Sequence, residues 1–188
     1  MNGLSFPTLE TERLLLTELQ VDDKEQIFLL FSTPAVVEHY DLAVFSEPEQ
    51  AANLISLFKS RYAEQAGIRW AIRLKTTGKL IGTCGFNSWN SKMQNAVIGY
   101  DLLPDFWGKG YCSEAVRAII GLAFSGALPC GKLHRIQADT VPGNHASEAL
   151  LNKLRFKEEG LRRECGYWKH KFHDLKCFGL LKSEFISA

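Results

Sequence analysis

At 188 residues the chain has the length of one compact α/β domain, taken as residues 1–188, and is short for two. Hydrophobic residues make up 46% and charged residues 23%, which supplies a core and excludes global disorder. The net charge of +1 lacks the basic excess of a dedicated nucleic-acid binder.

The opening Met1-Asn2-Gly3-Leu4-Ser5-Phe6 has neither the basic nor the apolar region of a secretory signal. The apolar run 27–31 falls far short of the about 20 residues that cross a bilayer. Five cysteines, an odd number without CxxC spacing, fit neither a disulfide framework nor a zinc site. No membrane, nucleic-acid or metal partner is expected, and the expected location is the cytoplasm.

Residues 13–19 read as a first strand. Asp22 and Asp23 then place negative charge where a helix starts, ahead of apolar residues to Phe31, and Pro34 is expected to end that helix. Ser46-Glu47-Pro48-Glu49 has the form of a capping box with proline just inside it, so a second helix is predicted over 48–64. Segments 68–75 and 79–89 flank the turn signal Thr76-Thr77-Gly78 and read as a hairpin, with a third strand at 94–103. A helix follows over 111–125, where Ala115, Val116, Ile119, Ile120 and Ala123 share one face. A strand at 133–140, a helix at 144–154 and strands at 156–163 and 174–181 complete the chain. The predicted fold class is α/β (α+β): a mixed, mostly antiparallel sheet of about seven strands flanked by helices.

The most informative stretch runs from Tyr100 to Ala115, where a strand ends, the loop Trp107-Gly108-Lys109-Gly110 turns, and a helix begins at once. This leaves backbone N–H groups unpaired and aimed at one point, beside the positive end of the helix dipole, which makes an anion site. Gly108 and Gly110 allow positive φ and a close approach of backbone to anion. Lys109 either adds charge there or is solvated. The spacing is neither a Walker A loop nor GxGxxG.

This segment resembles motif A of the GNAT acetyltransferases, whose [QR]xxGx[GA] loop holds the pyrophosphate of coenzyme A. Residues 134–147, from His134-Arg135-Ile136-Gln137 to Asn144-His145-Ala146-Ser147, resemble motif B. Leu9-Glu10-Thr11-Glu12-Arg13-Leu14 and the closing Phe172-His173-Asp174 are similar to the RimJ/RimL branch, the type that acetylates protein N-termini. The resemblance implies acetyl-CoA as acyl donor, no metal, and a primary amine as acceptor, with a protein N-terminus the nearest family analogy. It also makes a homodimer plausible.

Residue by residue, the resemblance implies that backbone groups of Asp101, Leu102 and Leu103 pair with the pantetheine arm like an added strand. The amides of Lys109, Gly110, Tyr111, Cys112, Ser113 and Glu114 would hold the pyrophosphate. Asn144 would bond the pantetheine arm, cap its helix, or do both. Ser147 would sit near the thioester sulfur as a proton donor, or bond its own helix turn. The chain departs from the family at several points: Val97 stands where relatives carry a glutamate base, Leu151 where others carry a tyrosine acid, and Trp107 where motif A usually begins with Gln or Arg. Asp139 is the candidate base if it is partly desolvated, and an outward-facing carboxylate otherwise. A water held by Tyr100 or His173 is a further candidate. Other readings of the chain are a small-amine acetyltransferase, a non-catalytic acyl-CoA-binding module, and an RNA-associated protein.

Overall fold

Residues 5–185 are described by a computed structural model; residues 1–4, which begin the segment read for a secretory signal, lie outside it. Eight strands share one sheet: β1 (Leu9–Glu10), β2 (Leu14–Glu18), β3 (Ile68–Leu74), β4 (Leu80–Asn90), β5 (Asn95–Leu102), β6 (Arg135–Thr140), β7 (Lys157–Trp168) and β8 (Lys171–Leu181). Their order across the sheet is β1-β2-β3-β4-β5-β6-β8-β7. Every neighbouring pair is antiparallel except β5 with β6. The strand beyond the expected set is β1, a two-residue segment paired to Leu15 and Leu16.

Alternation along the strands divides the core between the two faces. On one face Trp70, Ile72, Ile98 and Ile136 meet α4 (Tyr111–Ser125) and α5 (His145–Lys153). On the other, Ala71, Leu80 and Leu103 meet α1 (Lys24–Ser32), α2 (Pro34–Val37) and α3 (Pro48–Ala63). The predicted stripe on α4 is realised: Ala115, Val116, Ile119, Ile120 and Ala123 are all fully buried.

Helix starts differ in detail from the sequence reading. Asp22 and Asp23 form a 3-10 turn before α1, and Asp23 accepts from Gln20 N at 2.7 Å and from Arg73 Nη2 through both oxygens. Pro34 opens α2 instead of merely stopping α1. At α3 the cap is Glu47, not Ser46, because the Gln50 side chain reaches back to accept from Ser46 N and Glu47 N at 2.8 and 2.9 Å.

The last hairpin is longer than predicted, because its turn carries no glycine or asparagine signal. Lys169 and His170 supply it themselves, with φ of 49° and 58°, as a two-residue turn between right-twisted strands requires. From that tip Lys169 Nζ donates to Val37 O at 2.6 Å, bracing the hairpin against the end of α2.

Candidate active site

The parallel pairing of β5 with β6 lasts only from Asn95↔Arg135 to Val97↔Gln137. Beyond it β5 continues to Leu102 and β6 to Thr140, so the two strands diverge around a gap in the middle of the sheet. On its other side β5 stays paired with β4, with Leu102 opposite Gly82. Leu103 N donates to Ile81 O at 2.9 Å. Because bonded and non-bonded pairs alternate in an antiparallel ladder, the backbone groups of Tyr100 and Leu102 face the gap, and those of Asp101 and Leu103 face β4. Of the three backbone positions named from the resemblance, Leu102 therefore lines the gap directly.

The glycine loop has the expected form. Gly108 and Gly110 adopt φ of 70° and 80°. Gly110 is the cap residue of α4, whose first bond runs from Glu114 N to Gly110 O at 3.0 Å, so the amides of 110–113 have no partner inside the helix. Ser113 Oγ also donates to Gly110 O, at 2.9 Å. The loop is held from the turn between β1 and β2. Arg13 Nε and N bond the Glu114 carboxylate at 2.7 and 2.8 Å, Thr11 Oγ1 donates to it at 2.6 Å, and Arg13 Nη1 donates to Lys109 O at 2.9 Å. The Arg13 guanidinium lies 4.4 Å from the centre of the Tyr111 ring. Burial would raise the Glu114 pKa, but the bonds from Thr11 and Arg13 outweigh it and hold the carboxyl below its ordinary value. The Lys109 ammonium sits over the Phe106 ring at 5.8 Å.

Across the gap, α5 presents its first turn to β5. Asn144 caps α5, its Oδ1 accepting from Ser147 N at 3.2 Å. Ser147 Oγ lies 2.6 Å from the Tyr100 hydroxyl. Burial pushes the Tyr100 pKa well above its ordinary value, against a smaller opposing effect of the bond to Ser147. Tyr100 is thus a neutral hydroxyl at physiological pH. His173 stacks on Trp168, ring centres 4.0 Å apart.

Asp139 is not an isolated, desolvated carboxylate. Its side chain is 25% exposed and its Oδ2 lies 2.5 Å from Arg162 Nη2. Cys112 departs in the other direction: burial pushes its thiol up to about 12, Asp101 adding to the effect and Arg69 opposing it, so it is no thiolate at neutral pH. A helix N-terminus by itself lowers a thiol pKa, but desolvation outweighs that effect here.

The family profile for the acetyltransferase (GNAT) domain matches residues 13–157. The chain belongs to this family. The GNAT chain is 38% identical over 177 residues to a protein of Bacillus subtilis named uncharacterized N-acetyltransferase YoaA, covering 94% of this chain and 98% of that one. It is 37% identical to uncharacterized N-acetyltransferase p20 of Bacillus licheniformis, with 95% and 98% covered. Its fold matches RimL, a ribosomal L7/L12 α-N-protein acetyltransferase solved with coenzyme A, at a TM-score of 0.80 and 18% identity over 95% and 99% of the two chains. The protein is an N-acetyltransferase of this family.

Part of the GNAT site escaped the sequence reading. Asp101 carries a structural side chain: only 6% exposed, it accepts from Arg69, from Thr83 N and Oγ1, and from Tyr40. Arg69, 4% exposed, also donates to Thr83 Oγ1 and Asn87 Oδ1 at 2.8 and 3.1 Å. Burial alone would lower the Arg69 pKa, but Tyr40 and Asp101 hold it above its ordinary value. The signal was available, since Arg69 and Asp101 are opposite charges set in mostly apolar strands. The bracing role of Arg13 left no comparable mark.

Proposed function

We propose that the protein transfers an acetyl group from acetyl-CoA to a primary amine by direct attack, with a protein N-terminus as the acceptor class. The observation that carries this reading is the gap between β5 and β6, which the Leu102 N–H faces while the Tyr100–Ser147 pair stands at the first turn of α5. Acetyl-CoA supplies the acyl group. The free amides at the start of α4 suit its pyrophosphate, and the open edge of β5 suits a pantetheine arm that adds like a strand. Asn144 and the amides of Lys109, Gly110, Tyr111, Cys112 and Ser113 are the remaining coenzyme contacts in this reading, whereas the Glu114 amide, also named from the resemblance, is already bonded to Gly110 O.

The Leu102 N–H stabilises the developing oxyanion, and Ser147, backed by the neutral Tyr100 hydroxyl, returns a proton to the departing sulfur. Asp139 stands past the last β5–β6 pair, with one carboxylate oxygen already engaged by Arg162. In this reading the ammonium proton leaves through water at the mouth of the gap, with Asp139 a secondary acceptor. RimL's named substrate, a ribosomal protein's α-amine, supports the acceptor class.

The test is intact-mass detection of acetyl transfer from acetyl-CoA to a panel of peptides with varied N-termini, ribosomal proteins, polyamines and aminoglycosides. Transfer to the α-amine of peptides or ribosomal proteins is the expected result. Transfer confined to polyamines or aminoglycosides would overturn the acceptor class, and coenzyme binding without transfer to any member would count against the reading as a whole.

A further inference from the structure

The end of β5 carries a contact that the coenzyme reading does not use. Leu102 is the non-bonded partner of Gly82, so both its N–H and its C=O point away from β4 into the gap. A carbonyl so placed needs a partner, and here the partner is a side chain. The chain turns at Pro104–Phe106 and brings Trp107 back, so that its Nε1 donates to Leu102 O at 2.7 Å. Leu102 is 6% exposed, whereas Trp107 is 47% exposed, an unusually open position for so large an apolar ring. The indole is thus a surface group laid across the free edge of a strand at the open end of the gap.

We propose that Trp107 is a positioning residue for the acyl donor: its indole N–H fills the place of an incoming amide N–H and exchanges with it when the pantetheine arm enters. This rests on the coenzyme reading above. A molecule that adds to β5 as a strand must present an N–H to the Leu102 carbonyl, and the two amides of pantetheine are donors of that kind. The exchange keeps the carbonyl satisfied in both states, so the slot is held in shape before the donor arrives, and the ring swings outward as the arm pairs. The nucleotide end of the coenzyme, which meets the loop and the start of α4, does not touch this bond.

The test compares coenzyme A with adenosine 3′,5′-bisphosphate, which keeps the 3′-phosphate and the first 5′-phosphate but lacks the second phosphate and pantetheine, on wild type and on Trp107→Phe. Phenylalanine keeps an aromatic ring and removes the donor. Calorimetry is expected to show coenzyme A binding about 3- to 10-fold tighter to the variant, the range one exchanged hydrogen bond allows. Bisphosphate affinity should stay within about twofold, because that ligand makes no exchange. Tryptophan emission of the wild type should change with coenzyme A and not with the bisphosphate, and the change should vanish in the variant. Equal shifts for both ligands, weaker or unchanged coenzyme A binding by the variant, or unmoved emission would overturn the exchange while leaving the coenzyme reading intact. Binding of neither ligand by the wild type would remove both.

Discussion

The Tyr100 hydroxyl and Ser147 Oγ lie 2.6 Å apart, joining β5 to the first turn of α5 across the gap in the sheet. Either oxygen can donate, and neither residue is a charged acid. In the proposed mechanism they hold a proton beside the place where the thiolate departs, and burial keeps the Tyr100 hydroxyl neutral. Ser147→Ala is expected to lower kcat about 100-fold, the low end of what a positioned proton donor contributes, with coenzyme A affinity nearly unchanged. Unaltered kcat would return Ser147 to the role of a simple first-turn serine.

The same pair fixes a pH expectation. The folded Tyr100 pKa is raised above 10.0, so what its neutral hydroxyl contributes is fully present below that value and lost only as pH climbs through the folded pKa. Any Tyr100-dependent fall in turnover should therefore begin above pH 10. A fall starting lower in wild type and missing in Tyr100→Phe would contradict the assignment.

Gly110 tests the loop. Its φ of 80° is costly for any β-branched residue, and a Cβ there would stand 3.3 Å from Arg13 Nη2, the side chain that braces the loop. Gly110→Val should weaken coenzyme A binding at least about 100-fold while the far-UV spectrum is preserved, since strain and loop displacement act together. Unchanged affinity in calorimetry would sink the assignment of this loop to the pyrophosphate.

These expectations divide along what a sequence can carry. The loop and α4 were legible because glycine spacing and a 3.6-residue period are local signals, and α4 begins and ends where they place it. The divergence of β5 from β6 came only through family resemblance, since no local residue encodes which strands part company. The extent of the last hairpin was hidden because Lys169 and His170 take up positive φ without a turn residue to announce it. Asp139 read as a candidate base because its partner Arg162 belongs to β7, and only the sheet order brings the two together.

Arg69 and Asp101 are coupled energetically across the sheet. They lie on β3 and β5, which are not neighbours, and their ion pair spans β4 over Thr83. With both side chains almost fully buried, removing one partner leaves a charge without compensation. Asp101→Ala should destabilise the protein by about 3–5 kcal/mol in urea unfolding, and the double change Asp101→Leu with Arg69→Met by clearly less, because the second removes the orphaned charge. Equal losses in the two variants would mean that packing, and not the charge, sets the cost.

Cys112 separates direct transfer from transfer through an acetyl-cysteine. A thiol needs its thiolate form to attack a thioester, and here burial pushes the pKa up to about 12, which leaves almost no thiolate at neutral pH. Cys165, in contrast, is exposed. Brief iodoacetamide treatment at pH 7.5 should therefore label Cys165 and spare Cys112, as read by peptide mapping. Cys112→Ser should keep kcat within about threefold, since the serine retains the size of the side chain and no covalent step is lost. Loss of turnover in that variant, together with an acetyl adduct on wild-type Cys112 in the absence of acceptor, would replace direct attack by a two-step route. The neutral Tyr100–Ser147 pair would then have to serve the deacylation step instead of the departing coenzyme.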